Sequence, residues 1–453
     1  MKKGFPIHGM IGIASLLLSE AFLFEKVDPF YSWFYCFAWW SYILTVDAVI
    51  YRLKGNSLIL NRTKEFFLMI PWSIFIWLIF EAANFSLKNW YYINLPHSIV
   101  ERWLGYAIAY GTVLPGLFET TELLETCIFR SPSHPSPLPQ GDRAGGIGVL
   151  STLTLLGILC LASSLYIPEY CFPLIWVGFI FLLEPFNYRF GGKSLLRDLE
   201  EGNQRKIYLL FIAGLICGLL WEFWNFWAPS KWVYTVPFFD RTKGFEMPFL
   251  GFLGFPPFAV QAYVMYNFIS LFRSKRGWEE STYRLNMEKK TSSLTSVLTA
   301  ILIGSFSVLI FRAIDATTVD SYYPRLEDAY WIEPQYQNEL PKVGISTLED
   351  LKSKTRDKRE RDELALRLLI PKEMLIQWVE KAHLVQLKGL GVENLRLLQG
   401  VGIVSISALA KENPEELYDK IEQNVPGKVP RKAKIKIWVR EAKKRVRSGP
   451  AYW

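Results

Sequence analysis

Nine apolar runs, each about as long as a bilayer is thick, constrain this chain more than any other feature of its sequence. They cover residues 7–24, 31–51, 66–85, 104–124, 146–166, 172–188, 207–227, 249–272 and 294–314. Crossing about 30 Å of hydrocarbon takes roughly 20 mostly apolar residues in a helix, where each backbone polar group is satisfied inside the segment. The chain therefore reads as a polytopic membrane protein. Trp39, Trp40, Trp90, Tyr92, Trp227, Trp232 and Tyr234 sit at run ends, where amphipathic rings favour the membrane–water boundary. Lys2 and Lys3 before the first run, with Ser19, Glu20 and Ala21 near its end, imitate a secretory signal. The duplication described below gives that first run a counterpart and argues for its retention.

Beyond residue 315 the apolar runs stop and charge takes over. Basic residues also gather in three short loops, at Arg52, Lys54, Arg62 and Lys64, at Arg189, Lys193, Arg197, Arg205 and Lys206, and from Arg273 to Lys290. The preference of Lys and Arg for the cytoplasmic face places all three there. Nine crossings then put the N-terminus in the cytoplasm of a bacterial inner membrane and the C-terminal domain outside. Cysteines 36, 127, 160, 171 and 217 are odd in number and form no CxxC pair, so they read as small packing residues. The histidines His8, His97, His134 and His383 are scattered, and neither a metal site nor a cofactor is expected.

An internal duplication organises the apolar part. Asp47, Tyr51, Arg52, Gly55, Ser57 and Leu58 recur as Glu184, Tyr188, Arg189, Gly192, Ser194 and Leu195, each 137 positions later (47 to 184). Glu81, Asn84 and Phe85 recur as Glu222, Asn225 and Phe226, then Trp90 and Tyr92 as Trp232 and Tyr234, with Pro96 and Pro237 following. Units 1–126 and 146–272 are joined by the Pro-rich linker 127–145, and a basic loop, 273–293, leads to the ninth run at 294–314. Four helices per unit make the repeats parallel rather than inverted. The expected fold is all-α: two parallel four-helix repeats plus one helix, then a helical domain at 315–427 and a basic tail at 428–453.

An acid at the centre of a bilayer costs at least about 2.5–3.5 kcal/mol, so such acids face the protein interior and serve a purpose. Glu81, Glu119, Glu122 and Glu222 are the candidates for chemistry. Asp47, Glu184, Asn84, Asn225, Arg52 and Arg189 are further polar positions within or beside the runs. Pairing of Asp47 with Arg52, and of Glu184 with Arg189, would lock the loops that follow. The order Glu81, Asn84, Trp90, Tyr92, Pro115, Glu119, Glu122 resembles the small membrane-embedded lycopene cyclases of the heterodimeric or fused type. That resemblance implies proton-initiated cyclisation of a polyene, with Glu119 and Glu122 matching the acidic motif and Glu81 the earlier acid. The second unit departs from it, since Phe255, Pro256 and Pro257 lead to Gln261 rather than to glutamates. Gly191, Gly192, Lys193 and Ser194 imitate the end of a phosphate-binding loop, but Asn187 stands where that motif needs glycine.

In the C-terminal region, Leu384, Leu387, Gly389, Gly391, Val392, Leu395 and Leu398 follow a helix-hairpin-helix pattern, with Gly389 and Gly391 in the turn. Further short helices are expected after Val401 and at Pro414, and an earlier echo lies at Val343 to Leu351. The stretch resembles an uncharacterised family of tandem helix-hairpin-helix domains. Such turns often hold nucleic-acid phosphates, but residues 325–427 carry 15 basic against 18 acidic residues, which speaks against nucleic acid as the partner. The tail from Lys428 to Arg447 has ten basic residues and one acid, and suits either anionic lipid or solvent. Three function classes remain open. The first is a membrane or envelope scaffold whose helical domain docks a protein partner or a second copy. The second is an enzyme acting on a lipid-soluble isoprenoid, and the third is a transporter with its site between the repeats.

Overall fold

A computed structural model describes residues 4–128, 147–236, 243–273, 275, 277–281, 293–322, 324–426 and 429–447. The Pro-rich stretch 131–139, Pro237, His134 and residues 282–290 of the basic loop lie outside these. The chain forms two compact units. The first comprises residues 1–89, 100–229 and 236–317, and the second 90–99, 230–235 and 318–453.

The first unit is helical: α1 (Ile7–Glu25), α2 (Phe34–Lys54), α3 (Thr63–Leu87), α4 (Ile99–Tyr110), α5 (Val113–Ile128), α6 (Ile147–Tyr166), α7 (Ile175–Arg189), α8 (Arg205–Trp227), α9 (Phe255–Leu271) and α10 (Ser293–Thr317). Eight helices among the described residues are long and apolar enough to cross a membrane. The run at 104–124 is divided between α4 and α5 at Gly111 and Thr112. Pro115 has no N–H to give, and its ring clashes with a continued helix one turn back at Gly111. α1 packs along α2, and α6 along α7. At Gly9 a methyl group would overlap Ala48, and at Gly157 it would overlap the backbone of Leu182, so both pairs approach through small residues. α10 packs on α3. Its acid, Asp315, is held by Arg102 Nε at 3.0 Å, Trp103 Nε1 at 2.9 Å and the Tyr106 hydroxyl at 2.9 Å, all from α4.

The second unit corrects the all-α expectation. β1 (Trp90–Leu95), β2 (Lys231–Tyr234) and β3 (Val319–Tyr322) form a three-stranded sheet in the order β2-β1-β3. β1 and β2 are antiparallel, with Trp90 opposite Tyr234, Tyr91 opposite Val233 and Tyr92 opposite Trp232. β3 runs parallel to β1. Aromatic and β-branched residues fit a pleated, half-buried surface, which is why these short segments pair as strands. Trp90, Tyr92 and Trp232 are therefore buried sheet residues and not belt anchors.

The remainder of this unit is a helical domain. Thr347 caps Leu348–Lys354, Ser405 caps Ile406–Lys411 and Asn413 caps Pro414–Asn424, each through a side-chain oxygen accepting from a first-turn N–H. α11 (Lys372–Val385) and α12 (Gly391–Gly400) meet through Leu384, Leu387, Leu390, Leu395 and Leu398, all buried. The basic tail is not a tail: α13 (Lys432–Arg447) buries Ile435, Trp438, Val439 and Ala442 in the same core. With α13 included, the domain carries 25 basic against 19 acidic residues from 325 to 447, so the earlier charge balance changes sign.

His383 lies in this domain, largely buried. Burial first, then the charges of Lys352 and Arg445, push its imidazole down to about 4 from 6.5. The unfolded chain thus binds a proton that the fold refuses. The stability His383 contributes is complete above about pH 6.5 and drains as pH falls toward 4. In His383→Gln, unfolding of the C-terminal domain followed by denaturant from pH 7 to pH 4 is expected to lose that part of its pH dependence.

Candidate functional site

Asp47, on the last turns of α2, accepts from the Ser57 hydroxyl (2.9 Å), the Ile59 N–H (2.7 Å) and His8 Nε2 (2.9 Å). Glu184, on α7, accepts from the Ser194 hydroxyl (2.7 Å) and the Leu196 N–H (3.0 Å). Both acids reach ten and twelve residues ahead to pin the turn beyond their own helix. Arg52 and Arg189 are exposed, so the expected acid–arginine pairing gives way to this loop lock. The lock also accounts for Ser194 and Gly192, which had imitated a phosphate loop.

At the same end of the unit the basic loops meet buried acids. Arg62, 2% exposed, donates to Glu122 at 2.5 Å and to the Trp278 carbonyl at 2.6 Å. Lys54 adds a second cation to Glu122 at 2.7 Å. Arg273 pairs with Glu65 at 2.7 Å, and the Tyr266 hydroxyl bonds the same acid. Lys206 pairs with Glu125 at 3.2 Å and with Glu279 at 2.7 Å. Glu279, in the loop after α9, is held down to about 2 by Lys206 and Lys193 in spite of its burial. The pairs Glu65–Arg273 and Lys206–Glu125 each join the start of a third-position helix in one half to the end of the last helix in the other. Glu122 is thus a structural anchor held by two cations.

Glu81 and Glu222 have different surroundings. Both are fully buried. Glu81 accepts from Trp77 Nε1 at 2.9 Å, and the Trp77 ring lies 5.0 Å from that of Trp221, the residue before Glu222. Trp39, Phe80, Trp224 and Phe258 extend the aromatic shell through edge contacts of 5.1–6.0 Å. Asn84 accepts from the Asn89 N–H at 2.8 Å, closing the C-terminal end of α3, and Asn225 is buried at the matching place on α8. Trp77 and Trp221 are half-buried, whereas Glu81 and Glu222 are fully buried.

Glu119, on α5, stands apart. Its side chain is 0% exposed, no N–H or O–H among the described residues donates to its carboxyl oxygens, and the Asp47 carboxylate faces it. Next to it, Thr120 Oγ1 meets the Tyr42 hydroxyl at 2.8 Å and Cys217 Sγ at 3.3 Å.

In the second unit the turn between α11 and α12 is filled by the chain itself. Gly389 and Gly391 have φ of 71° and 67°, a region L side chains rarely enter. A Cβ on Gly389 would stand 2.5 Å from the Tyr91 hydroxyl, and one on Gly391 would stand 2.9 Å from Ser321. Trp438 Nε1 donates to the Gly389 carbonyl at 2.9 Å, Lys434 lies 4.5 Å from the Tyr91 ring centre, and Lys434 pairs with Asp320. Ile437 packs with Tyr91, Ile93 and Val233. A phosphate cannot enter a turn occupied in this way. Gly389→Ala is expected to destabilise this unit by about 2 kcal/mol, part strain and part overlap. Adding Tyr91→Ala should recover only the overlap, as read by chemical denaturation.

Residues 331–445 match a family profile described only as a domain of unknown function, DUF4332. This bears out the resemblance of the C-terminal region to an uncharacterised domain family. No curated protein and no solved structure matches the chain. The likeness of the membrane core to cyclases therefore rests on its residues alone. Among the described residues no cluster of His, Cys, Asp or Glu is arranged to hold a metal ion. The roles of His8, Arg62, Glu65, Lys206, Tyr266 and Arg273 are not visible in the sequence, because their partners lie 39 to 208 positions away.

Proposed function

We propose that this chain is an integral membrane enzyme that donates a proton to a lipid-soluble polyene of the isoprenoid class. The observation that carries the reading is the cluster of aromatic rings that meets Glu81 at Trp77 and continues to Trp221, the residue before Glu222. A carbon cation formed by protonating a double bond is stabilised by the faces of Trp and Phe rings, and water is excluded from the site. One acid adds a proton to a terminal double bond, a carbon–carbon bond closes the ring, and the second acid removes a proton. The product is an isomer of the substrate, and no cofactor is consumed. Glu81 is the donor in this scheme and Glu222 the acceptor.

The architecture we infer is two parallel four-helix repeats and a ninth helix, with α4 and α5 together making the fourth crossing. The matching loop locks at Asp47 and Glu184 support it, as do the crosswise ion pairs and the antiparallel pairing of Trp90-Tyr91-Tyr92 with Trp232-Val233-Tyr234 about its centre. The clustering of basic loops at one end favours a cytoplasmic N-terminus and a C-terminal domain, of helix-hairpin-helix type, outside the cytoplasm. A scaffold role is the second reading. It is favoured by the hairpin turn, which docks a strand of its own chain and so works as a protein-recognition surface.

The test is lipid profiling. Cells that accumulate an acyclic polyene should, on expressing the full chain, gain a cyclised product of unchanged mass. An unchanged profile across acyclic isoprenoids would leave the scaffold reading in its place.

A further inference from the structure

We propose that Glu119 is a proton-binding site, filled through His8 and Asp47 and separate from the aromatic acids. This inference does not depend on the enzyme reading. The other acids at this end of the unit have fixed partners: Asp47 and Glu184 hold loops, while Glu65, Glu122, Glu125 and Glu279 pair with arginine or lysine. Glu119 is as deeply buried as any of them, yet no N–H or O–H donates to either of its oxygens; it faces the Asp47 carboxylate, with which it can share a hydrogen bond only through a proton.

The charges facing it come from several elements. Asp47 on α2 is the carboxylate it feels most strongly, followed by Glu122 one turn along its own helix and Arg62 from the turn before α3. Tyr42 on α2 and Cys217 on α8 approach through Thr120. Arg62 and Lys54 are already matched by Glu122 and, for Lys54, by Glu280 at 3.8 Å. Arg62 also acts on Glu119, but its bond and that of Lys54 go to Glu122. A buried carboxylate set against a second carboxylate costs several kcal/mol, and the cost falls when one of the two holds a proton that both can share. The absence of a metal-ligating cluster among the described residues leaves the proton as the fitting cation. Access comes from the α1 side. His8 bonds Asp47 at 2.9 Å, and its side chain is 17% exposed, so it can exchange protons with water and pass them inward.

Infrared spectroscopy of the full chain in lipid at neutral pH reads this directly. A protonated carboxyl absorbs in the acid carbonyl region, far from ionised carboxylates, at a frequency set by the hydrogen bond it makes. The parent should show one such band that Glu119→Gln lacks, and Glu119→Asp should move the band rather than delete it. Transfer to deuterium oxide should shift the band, severalfold more slowly in His8→Gln than in the parent. Parent and Glu119→Gln spectra with the same acid band would overturn the site. A band that vanishes on adding sodium would make it a metal-cation site instead. Equal exchange rates in parent and His8→Gln would refute the entry route.

Discussion

Glu81→Gln and Glu222→Gln are each expected to insert and fold like the parent while losing about 100-fold or more of the cyclising activity. Glutamine keeps the volume of the acid, and its carbonyl can still accept from Trp77 Nε1, as Glu81 does at 2.9 Å. It cannot supply or take up a proton. Glu122→Gln should leave the chemistry nearly intact and lower stability, because Glu122 is committed to Arg62 and Lys54. That contrast separates a chemical from a structural acid in one assay, the yield of cyclic isomer per unit of inserted protein. Trp221→Leu should reduce the yield without changing insertion, since it removes a ring face from the shell.

The largest effect on stability is expected at Arg62. Its guanidinium is 2% exposed and bonds both Glu122 and the Trp278 carbonyl, while the Trp278 ring stacks on Phe118 at 4.8 Å. Arg62→Met strands that carbonyl and leaves Glu122 with Lys54 alone. Breaking one side of a buried pair costs about 3–5 kcal/mol, whereas replacing both partners with apolar groups is close to neutral. The apparent melting temperature in detergent should therefore fall steeply in Arg62→Met and recover largely in Arg62→Met with Glu122→Leu. Recovery would be incomplete to the extent that the Trp278 carbonyl stays unpaired.

Much of the membrane unit could be read from residue order. The apolar runs are helices, eight of them among the described residues long and apolar enough to cross a membrane, and the 137-residue offset links Asp47 to Glu184 by sequence alone. Their partners differ from the arginines that helix spacing suggests. α2 ends at Gly55 with φ of 76°, and the chain folds back so that Ser57 and Ile59 reach Asp47 while Arg52 points away into the exposed surface. Spacing along a helix could not foresee a bond made across the turn that ends it. The run at 104–124 looked continuous because hydropathy averages over Gly111 and Pro115, which backbone geometry does not.

The strands were hidden for a related reason. Trp90-Tyr91-Tyr92 and Trp232-Val233-Tyr234 follow long apolar helices, where an aromatic belt is the usual meaning of such residues. Their symmetric pairing needs both segments at once, 142 positions apart (90 to 232). α13 was misplaced by its charge. Its lysines and arginines dominate the composition, yet Ile435, Trp438, Val439 and Ala442 recur at helical spacing and mark a buried stripe. Of the chemical candidates, the sequence singled out Glu81, Glu119, Glu122 and Glu222 as a group. Only packing could show that Glu122 is held by Arg62 and Lys54, that Glu81 lies against Trp77, and that Glu119 faces Asp47 with no N–H or O–H donor.

The central claim is that a buried acid starts ring closure by giving a solvent-derived proton to a hydrocarbon. Mass spectrometry of the cyclic product made by the full chain in deuterium oxide tests it most directly. One deuterium per ring formed, with loss of the product in Glu81→Gln, is the predicted result. A product free of deuterium, or deuterium in equal amount from the Glu81→Gln protein, would contradict it.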